Sequence, residues 1–226
     1  MLGKGTTTQQ RRVLAKGILT EAPQYEPGTK YEYSNVGYAI AGLTAEQATG
    51  KSWEELMQKG LFEPLAMKSA GFGPPGTKGK VDQPWGHAMN GGMLVARQSD
   101  NAAALGPAGT VHLSLADWGK FVALHLGAKP AGKPLLKSET LAFLQQPPPG
   151  ESYASGWIVA DRPWAGGPAL THAGSNTMWF AVTWLAPQRD FAVLIATNSG
   201  VDNARQACDD VAAALIEQHL KSRPGK

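Results

Sequence analysis

Residues 177–197 read TMWFAVTWLAPQRDFAVLIAT, which is two short runs rich in β-branched and aromatic residues with a turn between them. Such runs predict strands at 177–186 and 191–197. The connecting residues Pro187-Gln188-Arg189-Asp190 have the composition of a tight turn. The segment therefore predicts a β-hairpin near the end of the chain.

The chain on either side of this hairpin supplies the other predicted elements. Strands are predicted at 153–160 and 169–173, and an amphipathic helix at 203–220. The first 150 residues hold helical patterns at 6–19, at 35–49 ending at Gly50, from a Ser52/Glu55 capping box to near Gly60, from Ser114 to Leu126, and at 139–145. Residues 71–110 are rich in glycine and proline and predict a long irregular surface loop.

The order of these elements predicts an α+β fold, in which helices cover one or both faces of an antiparallel sheet. We expect one domain over residues 1–226. Within it, residues 1–150 form a mostly helical and loop region, and residues 151–226 form antiparallel strands and a C-terminal helix.

Composition and charge argue against several classes of function. The net charge of +3 owes as much to Lys221, Arg223 and Lys226 as to any patch, so no nucleic-acid partner is expected. No signal peptide or membrane-spanning run is present, so no membrane partner is expected and the chain as written is expected in the cytoplasm. The single cysteine, Cys208, lies on an apolar helical stripe and is expected to be buried.

The histidines outside the motifs below, His87, His112, His125 and His219, have no metal-ligand spacing to carboxylates or cysteines. Metal sites in proteins need several such ligands at defined spacing. No metal and no cofactor are therefore expected.

Two short motifs carry the functional signal: Tyr33-Ser34-Asn35 and His172-Ala173-Gly174. Their surroundings fall in a consistent order along the chain, from about Gly17 to about Leu220. The supporting segments are Pro27-Gly28-Thr29, Tyr31 to Tyr38, Leu61 to Met67, Gly106 to Thr110, Leu115 to Trp118, Ser155-Gly156-Trp157, Ser175-Asn176 and Thr197 to Gly200. With these segments the chain resembles the serine β-lactamase-like, penicillin-binding proteins, particularly class C β-lactamases, family VIII carboxylesterases and D-alanyl-D-alanine peptidases.

The resemblance implies a β-lactamase/transpeptidase-like fold whose N-terminal helix, first sheet strands and Ser-x-x-Lys helix have no counterpart in this sequence. The nucleophilic serine of that family lies in Ser-x-x-Lys. No serine of this chain is followed by lysine three positions later, and no Gly-x-Ser-x-Gly elbow occurs. Full-length relatives are often exported.

By the resemblance, Tyr33 accepts and returns the proton of the attacking serine. A phenol titrates near ~10, so its phenolate needs nearby cations at neutral pH. The alternative is a tyrosine at a helix start with no catalytic role. Asn35 is expected to donate its amide to a substrate carbonyl. It is also a candidate N-cap of its helix, and the two roles compete for one side chain.

His172 occupies a position that the resemblance places on an edge strand lining the substrate cleft, where it could donate to a substrate carboxylate. Gly174 would let the substrate approach the strand backbone, and the amide of Ser175 would form half of an oxyanion hole. The alternative for His172 is a structural histidine. His172 and Ser175 are three residues apart, so on a strand they point to opposite faces.

These observations leave three hypotheses. The first is a serine hydrolase acting by acyl-enzyme chemistry on lactam, ester or D-amino-acid peptide carbonyls, with the nucleophile absent from this chain. The second is an inactive ligand-binding or interaction module derived from that family. The third is a product without function of its own.

Expected partners are a small acyl substrate, such as a β-lactam or an ester, and a polypeptide that covers the sheet. A sheet without its first strands exposes an unpaired edge, which is unfavourable unless another surface covers it. A homo-oligomer or a complementary N-terminal fragment would provide that cover. Alternatively, residues 6–19 could fold back over the gap.

Overall fold

The computed structural model describes residues 4–223 as an α+β arrangement. Its helices are α1 (Thr7–Ile18), α2 (Asn35–Thr49), α3 (Trp53–Met57), α4 (Gly106–Gly109), α5 (Leu115–His125), α6 (Ser138–Gln145) and α7 (Asp202–Ser222). Its strands are β1 (Gly71–Phe72), β2 (Gly86–Asn90), β3 (Met93–Arg97), β4 (Val111–His112), β5 (Ile158–Arg162), β6 (Gly167–Ser175), β7 (Phe180–Ala186) and β8 (Phe191–Thr197).

The main sheet has four antiparallel strands in the order β5-β6-β7-β8. The predicted hairpin is confirmed as β7 and β8, which pair from Phe180 opposite Thr197 to Ala186 opposite Phe191. The predicted turn closes it, with Asp190 in the left-handed region at φ 51°. Two strand boundaries were wrong: the strand predicted at 153–160 is Ile158–Arg162, and β7 begins at Phe180 rather than at residue 177.

The late start of β7 has a local cause. Asn176 Oδ1 accepts hydrogen bonds from the backbone N–H groups of Met178 and Trp179, which closes a turn. Thr177 within that turn has φ 71°, a left-handed conformation that extended strands do not use. A side-chain oxygen that captures backbone donors in this way competes with strand pairing.

Two helices pack on opposite faces of the sheet. On one face, Phe191 and Val193 of β8 pack against Ala212 and Ile216 of α7. On the other face, the intervening strand residues pack under α5 and the segment before β5, in a cluster that contains Val122, Ala154, Trp157, Leu170 and Leu185. Cys208 of α7 is buried among apolar residues, as predicted. This alternation places the apolar core on both sides of the sheet.

The helical region is held by a buried charge cluster. Arg11 of α1 pairs with Glu46 of α2 at 2.5 Å and with Glu54 of α3 at 2.8 Å. Thr8 donates to the same Glu46 carboxylate at 2.9 Å. Helix α1 therefore packs on α2 and α3 through charged groups. Residues 6–19 therefore pack against the other helices rather than over the edge of the sheet, as the alternative expectation had it.

The predicted capping signals placed the starts of α3 and α5 correctly: Ser52 with Glu55 forms a capping box, and Ser114 caps α5. Thr6 with Gln9 forms a further capping box at the start of α1. The helix after Ser52 ends its α turns at Met57 and continues as a π-helix over Gln58–Phe62, beyond the expected end near Gly60.

The prediction of a long irregular loop at 71–110 was wrong. This segment contains the antiparallel hairpin of β2 and β3, helix α4, and strand β1, which pairs with β4 just after the segment. Gly91 and Gly92 form the hairpin turn with φ values of 55° and 82°. Among residues 4–223, no helix is both long enough and apolar enough to cross a membrane.

Candidate active site

The motif Tyr33-Ser34-Asn35 lies at the start of α2. Ser34 is the N-cap: its hydroxyl accepts a hydrogen bond from the backbone N–H of Gly37 at 2.9 Å. The expectation that Asn35 could cap this helix was therefore wrong, because Asn35 is already the first helical residue. Its Oδ1 instead accepts from the Tyr33 hydroxyl at 3.0 Å. The motif thus presents a hydrogen-bonded Tyr33/Asn35 pair on the surface, with 69% of Tyr33 exposed.

The second motif lies on β6, where the pairing of the sheet changes. Strand β5 pairs with β6 only from Gly167 to Thr171. The next residues, His172 to Ser175, pair with β7 alone. Strand β6 as a whole is therefore internal, which corrects the expectation of an edge strand, but its motif-bearing end has an open side. Space beside the Gly174 Cα is also open, since a Cβ there would meet nothing within 4 Å.

A hydrogen-bonded chain of hydroxyls joins α2 to β6. The Tyr38 hydroxyl lies 3.0 Å from the Tyr153 hydroxyl. The Tyr153 hydroxyl in turn lies 3.4 Å from His172 Nε2. The ring of Tyr31 packs against that of Tyr153 with centroids 5.3 Å apart. Tyr31 and Tyr38 therefore lie close to Tyr153 and His172, more than 100 residues further along the chain.

Loss of contact with water shifts the pKa values of three side chains in this cluster. Burial, reinforced by the hydrogen bond with Tyr38, raises the pKa of Tyr153 well above the ordinary value for a phenol. Burial also raises the pKa of Tyr31, with smaller contributions from the neighbouring hydroxyls and from Glu32. Desolvation by its neighbours lowers the pKa of His172, although His172 keeps part of its surface exposed to water. At neutral pH His172 therefore acts as a neutral hydrogen-bonding group more than as a cation.

The hydroxyl groups of the serines inside the motifs are already engaged. Ser175 Oγ donates to the Trp179 carbonyl at 2.6 Å and accepts from the Thr177 N–H at 3.0 Å. Ser34 Oγ caps α2. Register also separates Ser175 from His172: Ser175 lies opposite Phe180, on the face of α7, whereas His172 lies opposite Thr183.

A second loop is tied to the end of β6. Asn176 Nδ2 donates to Asp100 Oδ1 at 2.8 Å, and Asn101 Nδ2 donates to the Gly109 carbonyl at 3.0 Å. The glycine-bearing segment before β4 is thereby connected, through Asp100 and Asn101, to the His-Ala-Gly strand. The motifs that begin at Gly106 and at His172 are 66 residues apart in the sequence. Side-chain amides connect them in the structure.

Sequence reasoning missed Tyr38 and Tyr153 as members of the site. A signal was present, because Tyr31, Tyr33 and Tyr38 lie in one quoted segment and Tyr153 lies two residues before another. Their contact, however, depends on how α2 meets the sheet, which no local pattern encodes. Within residues 4–223, no three His, Cys, Asp or Glu side chains gather in a way that could hold a metal ion.

Comparison with known proteins identifies the family of this chain. The family model described as Beta-lactamase matches residues 3–218. The chain belongs to the beta-lactamase family. Members of this family are typically hydrolytic serine enzymes that act on small acyl substrates.

Relatives show how much of the family's length this beta-lactamase-family chain covers. It is 26% identical over 201 residues to penicillin-binding protein 4 of Amycolatopsis lactamdurans, covering 77% of this chain and 49% of that protein. The chain thus spans at most about half the length of the curated relatives it matches.

Solved structures show the same fold. The octameric penicillin-binding protein homologue from Pyrococcus abyssi superposes with a TM-score of 0.72 at 23% identity, over 92% of this chain and 47% of that one. The D-amino acid amidase from Ochrobactrum anthropi SV3, complexed with L-phenylalanine amide, superposes with a TM-score of 0.71 at 19% identity, over 96% and 65%. The β-lactamase/transpeptidase-like fold predicted from the motifs is confirmed.

Proposed function

We propose that this chain forms the substrate-facing part of a serine hydrolase site that acts on lactam, ester or D-amino-acid amide carbonyls through an acyl-enzyme. The observation that carries the proposal is a link between the helix that starts at the first motif and the strand that holds the second motif. Tyr38 of α2 and His172 of β6 lie at the two ends of a hydroxyl chain through Tyr153. The Tyr33/Asn35 pair stands one helical turn before Tyr38.

Each side chain has a role in this scheme. Tyr33 takes the proton from an attacking serine hydroxyl as the oxygen bonds to the carbonyl carbon, and later returns a proton to the leaving group. Asn35 donates an amide N–H to the carbonyl of the acyl side chain, and His172 donates to a polar group of the substrate. The backbone N–H of Ser175 stabilises the oxyanion, while Gly174 leaves room for the substrate.

The nucleophile of this scheme comes from polypeptide outside these 226 residues, because the chain has no Ser-x-x-Lys. The length comparison supports this assignment, since the curated relatives contain about as much additional chain, or more. The cation that a Tyr33 phenolate needs is assigned to the same outside segment.

A second candidate is a ligand-binding or interaction module without catalytic activity. The engaged hydroxyls of Ser34 and Ser175 favour it, because neither serine is available to replace the absent nucleophile. The neutral state of His172 fits either candidate.

Two partners follow from the proposal. One is a small acyl compound in the cleft beside His172. The other is a polypeptide, either a second copy or a complementary N-terminal segment, that covers the open edge of the sheet at β8. The homologue from Pyrococcus abyssi is octameric, which gives a precedent for assembly on this fold.

The test is intact-protein mass spectrometry after incubation with a fluorophosphonate or a penicillin. The chain is measured alone and fused behind the half of Amycolatopsis lactamdurans penicillin-binding protein 4 that it does not match. We expect no adduct on the chain alone and one adduct on the fusion. Tyr33→Phe should slow or abolish that adduct, and Tyr25→Phe, outside the cluster, should not.

A folded fusion that never forms an adduct, together with saturable penicillin binding by the chain alone in NMR titration, would favour the non-catalytic module. Absence of both adduct and binding would contradict both candidates.

A further inference from the structure

The hairpin of β2 and β3 stands apart from the main sheet. Its strands form a separate two-stranded antiparallel sheet. Burial decreases along its length: Gly86 at the base is buried, whereas all residues from Met89 to Leu94 at the far end are exposed. The hairpin therefore projects from the body of the molecule, with the Gly91-Gly92 turn at its outer end.

Contacts at the base hold this hairpin in place. The backbone N–H of His87 donates to the Met178 carbonyl at 3.0 Å, and His87 Nδ1 lies 2.9 Å from the Asn198 carbonyl oxygen. Asn198 Nδ2 donates to the Trp85 carbonyl at 3.0 Å. These partners all belong to this chain, so the position of the hairpin is fixed by contacts within the sequence.

The outer end of the hairpin is apolar on both faces. Met89 lies directly opposite Leu94, and Met93 lies opposite Asn90. Because side chains alternate along a strand, Met89 and Leu94 share one face and Met93 lies on the other. These three residues form the apolar tip, with exposed fractions of 55% for Met89, 69% for Met93 and 52% for Leu94. A strand face in water normally carries polar residues, so an apolar tip indicates a partner.

The small size of the apolar tip argues against a folded protein as that partner. A specific protein interface buries roughly 800 Å² on each side, which three side chains beside a two-glycine turn do not offer. The surface of a bilayer requires no complementary shape. It takes up small apolar groups at the boundary between headgroups and acyl chains, and anionic lipids add electrostatic attraction.

The base of the hairpin supplies positive charge. Lys78 and Lys80 precede β2, Arg97 ends β3, and all three side chains are exposed. We call these three residues the basic collar. The side chain of Gln98 ties the lysine segment to the base through hydrogen bonds of 2.6 and 2.7 Å to the backbone of residues 79 and 77. Asp82 is the one acidic residue between Lys78 and Arg97, so the collar suits anionic headgroups.

The length of the hairpin fits the thickness of the bilayer surface. The base at Gly86 and the tip at Asn90 are four residues apart, or about 14 Å of strand. Apolar groups of a peripheral protein lie roughly 5–10 Å deep at the headgroup boundary, which leaves the basic collar at the level of the headgroups. The backbone polar groups of the Gly91-Gly92 turn keep the tip at this depth, because the hydrocarbon core cannot hydrogen-bond them.

We propose that the apolar tip docks this chain peripherally on an anionic lipid surface, with the basic collar against the headgroups. The sequence led us to expect no membrane partner, but that expectation considered signal peptides and membrane-spanning runs and not a projecting hairpin. The docking does not depend on the proposed hydrolase function, and its test involves no substrate.

The test is co-sedimentation with lipid vesicles, applied to the chain alone and to its fusion with the unmatched half of penicillin-binding protein 4. We expect both to bind phosphatidylcholine vesicles that contain about 30% phosphatidylglycerol, and to bind pure phosphatidylcholine at least about tenfold more weakly. Met93→Asp should weaken binding by at least about tenfold, because it places a carboxylate at the tip. Phe143→Asp is the matched control: Phe143 of α6 is 71% exposed, and its replacement should leave binding unchanged.

A second pair of variants tests the basic collar. Lys78→Gln/Lys80→Gln should weaken binding to the anionic vesicles and reduce its dependence on salt. Lys129→Gln/Lys133→Gln removes the same charge from two other exposed lysines and should do neither.

A folded chain that binds neither vesicle would overturn the proposal. Equal binding to the two vesicles, or equal losses in Met93→Asp and Phe143→Asp, would also overturn it, since the collar or the tip would then have no part in docking. Binding by the chain but not by the folded fusion would show that additional polypeptide covers the tip. Self-association without lipid that Met93→Asp abolishes would make a second copy the occupant, and either result would contradict docking on lipid.

Discussion

Arg11 in the helical region and His125 beneath the sheet are both buried basic side chains, but their pKa values are shifted in opposite directions. Hydrogen bonds from Arg11 to Glu54 and Glu46 outweigh the effect of burial and raise its pKa above the ordinary value. His125 packs between the rings of Phe121 and Trp157, and burial lowers its pKa to about 4.

The difference shows how each region is stabilised. The helical region joins α1, α2 and α3 through charges that must stay paired, whereas the sheet packs α5 through rings that must stay neutral. A change that removes a charge should therefore damage the first region, and a change that adds one should damage the second.

The largest expected effect is the loss of the Arg11 charge. Arg11→Met leaves the buried carboxylate of Glu46 without its cation and should lower the free energy of unfolding by about 3–5 kcal/mol. Urea unfolding followed by circular dichroism measures it.

Two controls make this result specific. The double variant Arg11→Met/Glu46→Gln should recover part of the loss, because the orphaned charge is removed. Arg12→Met, one residue along on the exposed side of α1, should change stability by less than about 0.5 kcal/mol. A double variant no more stable than Arg11→Met would show that packing, and not charge, holds the helices.

The second effect is the pH dependence of stability that comes from the buried, neutral His125. The folded pKa of His125, about 4, lies below its ordinary 6.5, so its contribution is complete above pH 6.5 and is lost as the pH falls toward 4. The unfolded chain takes up the proton first, and the loss approaches about 3 kcal/mol. Unfolding measured at several pH values should show this slope.

His125→Phe keeps an aromatic ring against Phe121 and Trp157 and should remove the slope between pH 6.5 and 4. Carboxylates such as Asp117, whose pKa is lowered to about 2 by hydrogen bonds from Lys120 and Ser69, contribute at more acidic pH. An unchanged slope in His125→Phe would assign the acid sensitivity to other groups.

A smaller effect tests how α2 begins at the site, where the two regions meet. Ser34→Ala removes the N-cap and should cost about 1 kcal/mol. Asn35→Ala should cost less, since Asn35 is not the cap, although it removes the acceptor of the Tyr33 hydroxyl. Thermal unfolding of both variants ranks them, and a greater loss in Asn35→Ala would reverse the assignment of the cap.

Those features that depend on neighbours in sequence were predictable, and those that depend on distant contacts were not. Capping pairs such as Ser52/Glu55 act within one turn and placed the helix starts correctly. The hairpin of β2 and β3 was missed although Asn90-Gly91-Gly92 is a turn signal, because the surrounding glycine and proline content favoured a loop. The position of Tyr153 against His172 depends on how the segment before β5 packs against β6, and it has no local signature in the sequence.

The smallest effect separates two properties of Tyr153 at the junction between the regions. Its ring lies edge-on to the His172 imidazole with centroids 6.3 Å apart, and its hydroxyl lies 3.4 Å from His172 Nε2. Since burial is what lowers the pKa of His172, Tyr153→Ala should raise that pKa toward the ordinary value, whereas Tyr153→Phe, which keeps the ring, should leave it low.

NMR titration of the His172 ring resonances, assigned with His172→Gln, follows this pKa without requiring any activity. If Tyr153→Phe raises the pKa as much as Tyr153→Ala does, the hydroxyl and not the ring controls the imidazole. His172 would then be tuned as Arg11 is, through a hydrogen bond. If the ring dominates, the pKa of His172 is lowered by desolvation, as the pKa of His125 is in the core beneath the sheet.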